Sequence, residues 1–244
     1  MESHDPLRIA AWSGPRNIST AMMRSWENRP DTIVCDEPLY AYYLSKTGLD
    51  HPAREDVIAH HESDWKKVVD QLCGNIHASV FYQKHMTHHL LPEIERDWLL
   101  KMTNIFLIRN PREMMVSLVK TIPSPTINDT GLPQQLDLFT YIENETSAIP
   151  LVIDAKDVLE DPETMLKKIC KVIEVPFYDE MLSWPVGKRD SDGIWAPYWY
   201  KSVEASSGFT KWQPKVEQVP EVLESIMTEC TTIYEQLATH RLQL

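Results

Sequence analysis

Residues 7–20 have the sequence LRIAAWSGPRNIST, in which a short apolar run meets a Ser-Gly-Pro turn and then a helical pattern. The helical pattern begins near Ser19 and places Met22, Met23 and Trp26 on one face. Apolar positions spaced three or four residues apart indicate an amphipathic helix. The stretch therefore predicts a strand, a turn and a helix in immediate succession.

Short runs rich in Val, Ile or Phe recur along the rest of the chain. They lie at residues 32–35, 79–83, 104–108 and 150–153. Helical patterns separate these runs, and strands that alternate with helices pair in parallel and bury both faces of their sheet. The sequence therefore predicts an α/β fold with a central parallel sheet flanked by helices, in a single domain over residues 1–244.

Composition narrows the possible partners. The 244 residues carry a formal charge of −12, whereas nucleic-acid binding requires clustered Lys and Arg. No apolar run approaches the roughly 20 residues of a membrane span, and residues 1–5 lack a signal pattern. We therefore expect a cytoplasmic protein that binds neither nucleic acid nor membrane. Its widely spaced cysteines indicate reduced thiols.

The turn at residues 14–20 has the features of an anion site. It offers backbone N–H groups and a helix N-terminus, to which Arg16 adds a guanidinium and Ser19 and Thr20 add hydroxyls. An ordinary capped helix start explains the same pattern. The turn lacks the G-x-x-x-x-G-K-[ST] motif, which disfavours an ATP or GTP hydrolase.

A second anion element is the stretch FLIRNPREMMVS at residues 106–117, where an apolar strand continues directly into a helix. Arg109 leaves the strand end with a forked donor group. Ser117 follows about two helical turns later, so both side chains can face one anion. Surface arginines at a helix start are the alternative interpretation.

The Arg109 and Ser117 pair resembles the signature of the sulfotransferase superfamily. Those enzymes carry an Arg followed eight residues later by a Ser, with Asn/Asp-Pro-Arg/Lys between, to hold the 3'-phosphate of 3'-phosphoadenylyl sulfate (PAPS). The resemblance implies a three-layer P-loop-like fold and a donor that needs no metal and leaves adenosine bisphosphate (PAP) as product. The first turn then resembles the family's 5'-phosphosulfate loop. Its implied cofactor contacts are Gly14, Pro15, Arg16, Asn17, Ile18, Ser19 and Thr20.

A narrower resemblance covers a bacterial and plant sulfotransferase-like branch whose members are often labelled aminotransferase-like. It is carried by residues 12–20 together with the strings DEP at 36–38, KHM at 84–86 and WAPYWY at 195–200. No lysine lies in a recognisable pyridoxal phosphate setting. Cyanobacterial saxitoxin sulfotransferases resemble this branch, and an acidic chain suits a cationic or guanidinium acceptor.

The catalytic candidates follow the third predicted strand. Lys84 and His85 resemble the family's Lys-x-His pair, in which the lysine contacts the donor and the histidine is the base. Here the two are adjacent, and neighbouring residues on a strand point to opposite faces. The base is therefore open among His85, His88 and His89, in the preference order His85, then His89. A metal bound by these histidines is an alternative, but no further ligand lies at a recognised spacing.

The acceptor and the lid are expected from two further segments. Asp36 and Glu37 follow the second strand, where they can hold an acceptor cation or cap a helix. Residues 184–214 lose the helical pattern and form an aromatic-rich loop that we interpret as a lid, before a last helix at about 219–237. Within it Trp195, Tyr198 and Trp199 are the predicted acceptor contacts, and core packing is the alternative. The string Ser207-Gly208-Phe209 resembles the family's late loop at the 3'-phosphate.

The predicted function is sulfuryl transfer from PAPS to a hydroxyl or nitrogen of a small molecule. Two other classes remain open on the sequence alone. One is a nucleotide-dependent phosphotransferase, which would require ATP and magnesium. The other is a non-catalytic module that binds adenosine bisphosphate. The sequence specifies neither the acceptor nor the oligomeric state.

Overall fold

The computed structural model describes residues 5–215 and 217–244. The strands are β1 (Leu7–Ser13), β2 (Thr32–Asp36), β3 (Val80–Met86), β4 (Thr103–Ile108) and β5 (Leu151–Asp154). They form one sheet in the order β2-β3-β1-β4-β5, and every neighbouring pair is parallel. Because β3 lies between β1 and β2, it stays paired beyond the predicted end at Gln83. Lys84 and His85 therefore lie within the strand.

Helices connect the strands and cover both faces of the sheet. They are α1 (Ser19–Glu27), α2 (Tyr40–Thr47), α3 (Arg54–His60), α4 (Trp65–Cys73), α5 (Pro111–Leu118), α6 (Leu132–Thr146), α7 (Ala155–Glu160), α8 (Pro162–Val172), α9 (Ala196–Trp199), α10 (Lys201–Glu204) and α11 (Glu224–Ala238). None of these helices has the length and apolar character required to span a bilayer.

The alternation of side chains along β1 divides the core into two layers. Ile9 and Ala11 pack in one cluster with apolar residues of α1 and α8. Ala10 and Trp12 pack in the other, with residues of α4, α5, α6 and α11. Successive residues of a strand face opposite sides, so a fully apolar strand requires a cover on both. This confirms the predicted α/β fold, with a central parallel sheet between two layers of helices.

Capping residues set where the helices begin. Asp161 caps α8 by accepting a hydrogen bond from the Thr164 N–H at 3.0 Å, as expected from the Asp-Pro start. Asn110 caps α5 in the same way, through the N–H of Arg112 at 3.0 Å. The cap ends β4 and starts α5 within two residues. It thereby places Arg109 at the carboxyl edge of the sheet.

Two predictions for the C-terminal third are wrong in detail. The last helix begins at Glu224 instead of about 219, because Pro220 adopts an extended conformation and a short 3-10 turn (Glu221–Leu223) precedes α11. The segment 184–214 is not irregular throughout, since it contains α9 and α10. These short helices determine which of its aromatic side chains face inward.

Candidate active site

The carboxyl edge of the sheet opens onto a cavity of about 540 Å³. This volume is in the range of pockets that bind small molecules and cofactors. One wall consists of residues 15–21 of the first turn and helix together with Arg109 and Ser117. The rest of the lining comes from the ends of β2 and β3, with Glu37, Lys84, His88 and His89, and from the lid between Trp199 and Thr210. Open α/β sheets place ligands at this edge.

The two predicted anion elements lie together on one wall of the cavity. The Nε of Arg16 donates to the Oγ of Ser117 at 2.9 Å. A guanidinium nitrogen of Arg109 donates to the backbone carbonyl of Arg16 at 3.0 Å. Burial and the neighbouring Arg109 both lower the pKa of Arg16. Two adjacent guanidinium groups repel each other, so an anion between them would relieve that cost.

The start of α1 contributes unsatisfied backbone donors to the same wall. Ile18 occupies the N-cap position and has no side-chain oxygen to accept the first N–H groups. Helices α4, α5, α7 and α8 are instead capped by an Asp or Asn side chain. Ser19 and Thr20 line the cavity. An uncapped helix N-terminus beside two arginines has the donors that a phosphate or sulfate requires.

The first turn contains one residue in the left-handed backbone conformation. Ile18 has an ordinary negative φ, whereas Arg16 has a φ of 57°. A left-handed conformation costs a non-glycine residue about 1 kcal/mol or more and commonly occurs at binding sites. The strained residue is therefore the one that carries the guanidinium.

Gly14 does not line the cavity, although the resemblance implies that it contacts the donor. A Cβ atom at this position would lie 2.2 Å from the carbonyl oxygen of Thr130. Gly131, with a φ of +70°, lies against the other side of this contact. Gly14 therefore permits the turn to approach the start of α6, which is a packing role.

Arg109 is held in place by contacts from two segments. It pairs with Glu113 at 3.1 Å, and the indole N–H of Trp212 donates to the other Glu113 oxygen at 2.9 Å. Lys215 donates to the backbone carbonyl of Glu113 at 2.9 Å. Burial and Arg109 lower the pKa of Lys215, which indicates a second cation close to the first. Sequence reasoning missed Lys215 because it lies outside the motifs.

Lys84 is the centre of a buried polar network. Its ammonium donates to Asp36 at 2.8 Å, to Glu37 at 2.5 Å and to the hydroxyl of Tyr200 at 2.7 Å. Burial would lower the pKa of Lys84, but the two carboxylates raise it. Asp36 is opposite Lys84 in the parallel register of β2 and β3, so the pairing of strands creates this contact. All three ammonium protons are engaged, and Lys84 positions Glu37.

Asp36 holds the lid and does not line the cavity, contrary to its predicted contact with an acceptor. Its carboxylate accepts hydrogen bonds from the N–H of Gly193 at 3.0 Å and from the Tyr200 hydroxyl at 2.7 Å. The Tyr200 hydroxyl also accepts from the indole N–H of Trp195 at 3.1 Å. The network therefore attaches the lid to the ends of β2 and β3.

Tyr200→Phe tests this attachment. The change removes one of the three donors to the buried carboxylate of Asp36, and it leaves the ammonium of Lys84 and the indole N–H of Trp195 without the hydroxyl to which they donate. We therefore expect the free energy of unfolding to fall by about 2 kcal/mol in a denaturant titration. Tyr198→Phe removes a hydroxyl from a residue that is 55% exposed and is the matched control, with an expected change below about 0.5 kcal/mol. Equal effects of the two changes would contradict the proposed attachment.

His85 faces away from the cavity, so the preferred assignment of the base does not agree with the structure. Its ring is 1% exposed, stacks on Trp12 with centroids 4.3 Å apart and lies 3.2 Å from the Gln83 side-chain oxygen. Alternation along β3 is the physical reason, because Lys84 takes the cavity side. His85 belongs to the apolar core.

His89 and Glu37 form the polar part of the opposite wall. The Nδ1 of His89 lies 3.9 Å from a carboxylate oxygen of Glu37, and this buried nitrogen has no hydrogen-bond partner among the described residues. The ring stacks on Tyr40 with centroids 4.6 Å apart. Burial, together with the neighbouring histidines and Lys84, lowers the pKa of His89 well below its usual value. Burial, opposed by Lys84, raises the pKa of Glu37. His89 is therefore neutral at pH 7, with its Nδ1 toward a basic carboxylate.

The buried histidines predict acid instability. Burial lowers the pKa of His85 to about 3 and that of His88 to about 4, whereas the unfolded chain titrates near 6.5. Below pH 6.5 the unfolded state therefore binds protons that the folded state does not, and stability is lost as the pH falls. Between pH 7 and pH 5 each ring should lower the free energy of unfolding by about 2 kcal/mol, which denaturant unfolding at the two pH values measures. His85→Gln should reduce by one the number of protons taken up on unfolding, and thereby weaken the dependence of the free energy of unfolding on pH. A stability independent of pH over this range would contradict the burial of these rings.

Only part of the predicted lid contact set lies at the cavity. Trp199, Gly208 and Phe209 line it, and Tyr200 and Ser206 join them. Trp195 is 1% exposed and packs beneath the lid against Tyr40, and Tyr198 points outward. Ser207 instead accepts the N–H of Trp184 through its carbonyl at 3.1 Å. The short helices α9 and α10 bring every third or fourth side chain inward, a period that a loop does not have.

Several cavity residues lie outside every motif of the sequence analysis. They are Tyr40, Tyr43, Asp50, His51 and Asp129. The three tyrosines at 40, 42 and 43, directly after the Asp-Glu-Pro string, were a signal for an aromatic wall. Asp129 comes from the turn before α6, and no local pattern indicates its contact with a segment eighty residues earlier.

The parallel sheet, the uncapped helix after β1 and the paired arginines at the sheet edge define an α/β protein of the P-loop-like class. The chain belongs to the sulfotransferase domain family, whose model matches residues 7–237. Two solved sulfotransferases share the fold. The enzyme from Alicyclobacillus acidocaldarius has a TM-score of 0.57 and 10% identity, covering 98% of each chain. The sulfotransferase domain of the Synechococcus PCC 7002 olefin synthase has a TM-score of 0.52 and 16% identity, covering 96% of this chain and 97% of that one.

Two plant relatives are more similar in sequence. Branched-chain-amino-acid aminotransferase-like protein 1 of Arabidopsis thaliana is 35% identical over 237 residues, which are 97% of this chain and 42% of that protein. Its paralogue, protein 2, is 33% identical and matches over 95% of this chain and 41% of its own length. The chain thus spans less than half the length of these relatives. Their name therefore describes proteins that are more than twice as long as the matched region.

Proposed function

We propose that this chain transfers a sulfuryl group from PAPS to a small acceptor, with His89 as the proton-accepting residue. The observation that supports this proposal most strongly is that one wall of the cavity brings together Arg16, Arg109, Ser117 and the uncapped start of α1. These motifs are far apart in the chain. Together they supply guanidinium, hydroxyl and backbone donors for a nucleotide that carries two separate phosphate groups.

The donors fall into two groups that fit the two ends of such a nucleotide. The turn and helix start, with Arg16, face the position where negative charge grows on a leaving phosphate, and fixed donors at that position lower the barrier. Arg109, directly after β4, and Ser117, near the end of α5, suit the 3'-phosphate. When bound, PAPS would supply a sulfuryl group that leaves its 5'-phosphate and joins the acceptor oxygen or nitrogen.

His89 is placed to remove the acceptor proton. Its Nδ1 faces Glu37, which leaves Nε2 for the acceptor. A neutral imidazole beside a carboxylate gains stability when it takes a proton, because the carboxylate then pairs with the imidazolium. Lys84 keeps Glu37 in position and does not itself need to contact the donor. The proposal requires no metal.

Ligand binding and turnover test this function in two stages. PAP at about 100 times its Kd should stabilise the protein by about 2.7 kcal/mol, a rise in Tm of about 5 °C or more, whereas ATP with magnesium should not. Turnover of PAPS with a panel of acceptors then separates an enzyme from a binding module. Stabilisation by ATP with magnesium alone would favour a phosphotransferase and contradict the proposal.

A further inference from the structure

The cavity has opposite charges at its two ends. Arg16 lies against Arg109 and Ser117, and its pKa is lowered by burial and by Arg109. The other end contains the carboxylates of Asp50 and Asp129. Burial lowers the pKa of His51, and Asp129 and Asp50 oppose that shift, so both carboxylates lie close to this ring. A ligand that spans the cavity meets cations at one end and anions at the other.

The negative charge at the second end is not neutralised by the protein. Glu37 pairs with Lys84, but Asp50 and Asp129 form no ion pair with Lys or Arg in the part of the chain that the structure describes. Among the residues that the structure describes, Asp129 accepts hydrogen bonds from the N–H and the hydroxyl of Thr126 alone, each at 2.7 Å. Nearby His88, whose pKa burial lowers to about 4, is neutral at pH 7.

Buried nitrogen atoms at the same end also have no partner. The Nδ1 atoms of His88 and His89 have no hydrogen-bond partner within the described residues, and His89 is 2% exposed. Both residues line the cavity. The Nδ1 of His89 faces Glu37, whereas the Nδ1 of His88 has no such neighbour in the described part of the chain. Buried polar atoms are normally paired, so the unpaired Nδ1 of His88 indicates a ligand with a group that can bond to it. This observation is independent of the carboxylates.

Aromatic rings complete this end of the cavity. Tyr43 lies edge-on to His88 with centroids 5.4 Å apart and tilted to His51 at 6.2 Å. Trp199 lies edge-on to His51 at 6.4 Å. The faces of such rings attract cations, most strongly where water is excluded. Carboxylates and aromatic faces around one space form a binding site for an organic cation.

We propose that the acceptor is a small organic cation, an ammonium or guanidinium compound with a hydroxyl group, whose charge lies between Asp50, Asp129 and the rings of Tyr43 and Trp199. This substrate class rests on the proposed sulfuryl transfer. In the transfer the acceptor O–H bond breaks, an O–S bond forms, the bond from sulfur to the 5'-phosphate oxygen breaks, and the proton goes to His89. The cationic group is separate from the reacting hydroxyl.

Pairs of probes that differ only in charge test the proposal. Choline and its neutral isostere 3,3-dimethyl-1-butanol form one pair, and tyramine and its neutral isostere 4-propylphenol form another. Binding to the PAP-saturated protein is measured by isothermal titration calorimetry. Each cation should bind at least tenfold more tightly than its neutral partner, because a carboxylate and an aromatic face both favour the charge.

Three isosteric variants locate the effect. Asp129→Asn and Asp50→Asn should each reduce the preference for the cation by about fivefold. Asp70→Asn makes the same charge change at an exposed position of α4 and should leave the preference unchanged. PAP affinity is measured for every variant as a check on the nucleotide end.

Equal affinity for both members of each pair, or no binding of either cation, would overturn the proposal. Failure of PAP to bind would count against the proposed function instead. The same titrations on the protein without PAP would then still decide whether this end of the cavity selects cations.

Discussion

Replacement of Arg109 by alanine is expected to raise the Kd for PAP by about 100-fold. Arg109 provides charged donors to the anion end, and its hydrogen bond to the carbonyl of Arg16 at 3.0 Å also supports the strained turn. Charge-assisted hydrogen bonds contribute about 1.5–3 kcal/mol each, and a 100-fold change corresponds to about 2.7 kcal/mol. Titration calorimetry with PAP measures the effect directly. The Kd for PAP of Arg109→Lys should lie between those of the wild type and Arg109→Ala, because an ammonium keeps the charge but lacks the forked geometry of a guanidinium.

Arg112→Ala is the matched control for this experiment. Arg112 lies three residues after Arg109, on the first turn of α5, is exposed and does not line the cavity. It changes the net charge by the same amount, so a general electrostatic effect would appear in both variants. PAP affinity reduced less than about threefold by Arg109→Ala, or equally by both changes, would place the nucleotide elsewhere.

The second large effect is expected for His89→Ala, which should lower kcat for sulfuryl transfer by about 100-fold or more while PAP affinity stays within about threefold. Loss of a general base commonly costs this much. Because burial, together with the neighbouring histidines and Lys84, lowers the pKa of His89 well below 6.5, the wild-type kcat should stay constant from pH 8 down to about pH 6. Steady-state rates with PAPS and a cationic acceptor measure both features.

Two further variants interpret the result. His77→Ala removes an exposed histidine away from the cavity and should leave kcat unchanged. Glu37→Gln keeps the shape of the side chain and should reduce kcat by about tenfold if Glu37 only orients His89. A complete loss in Glu37→Gln with a mild effect of His89→Ala would make the carboxylate the base, which its raised pKa permits.

The parallel fold could be predicted from the sequence because the patterns that indicate it are local. Apolar runs such as residues 104–108, bounded by helical patterns, predict buried parallel strands, and the Asp161-Pro162 start predicts a capped helix. The positions of Arg109 and Ser117 on the structure agree with the motif spacing, because one strand end and one helix determine both. Features of this kind depend on residues within a few positions of each other.

The wrong predictions concern the direction in which side chains point. His85 and Lys84 are adjacent on β3 and face opposite sides: His85 stacks on Trp12 in the core, whereas Lys84 pairs with Asp36 and Glu37 at the cavity. Asp36 was assigned to an acceptor, but the docking of Tyr200 and Gly193 turns it into a support for the lid. Trp199 and Tyr200 line the cavity while Trp195 lies beneath the lid and Tyr198 points outward, because α9 and α10 wind the lid into helical turns.

The linear order of residues was enough to determine the sheet, its covering helices, and the arginine and helix start at the edge of the sheet, since each is encoded by short-range periodicity and spacing. The tertiary structure alone brought Asp129 close to His51 and His88. The physical reason is that such contacts join segments far apart in the chain, and their formation depends on which faces the core buries.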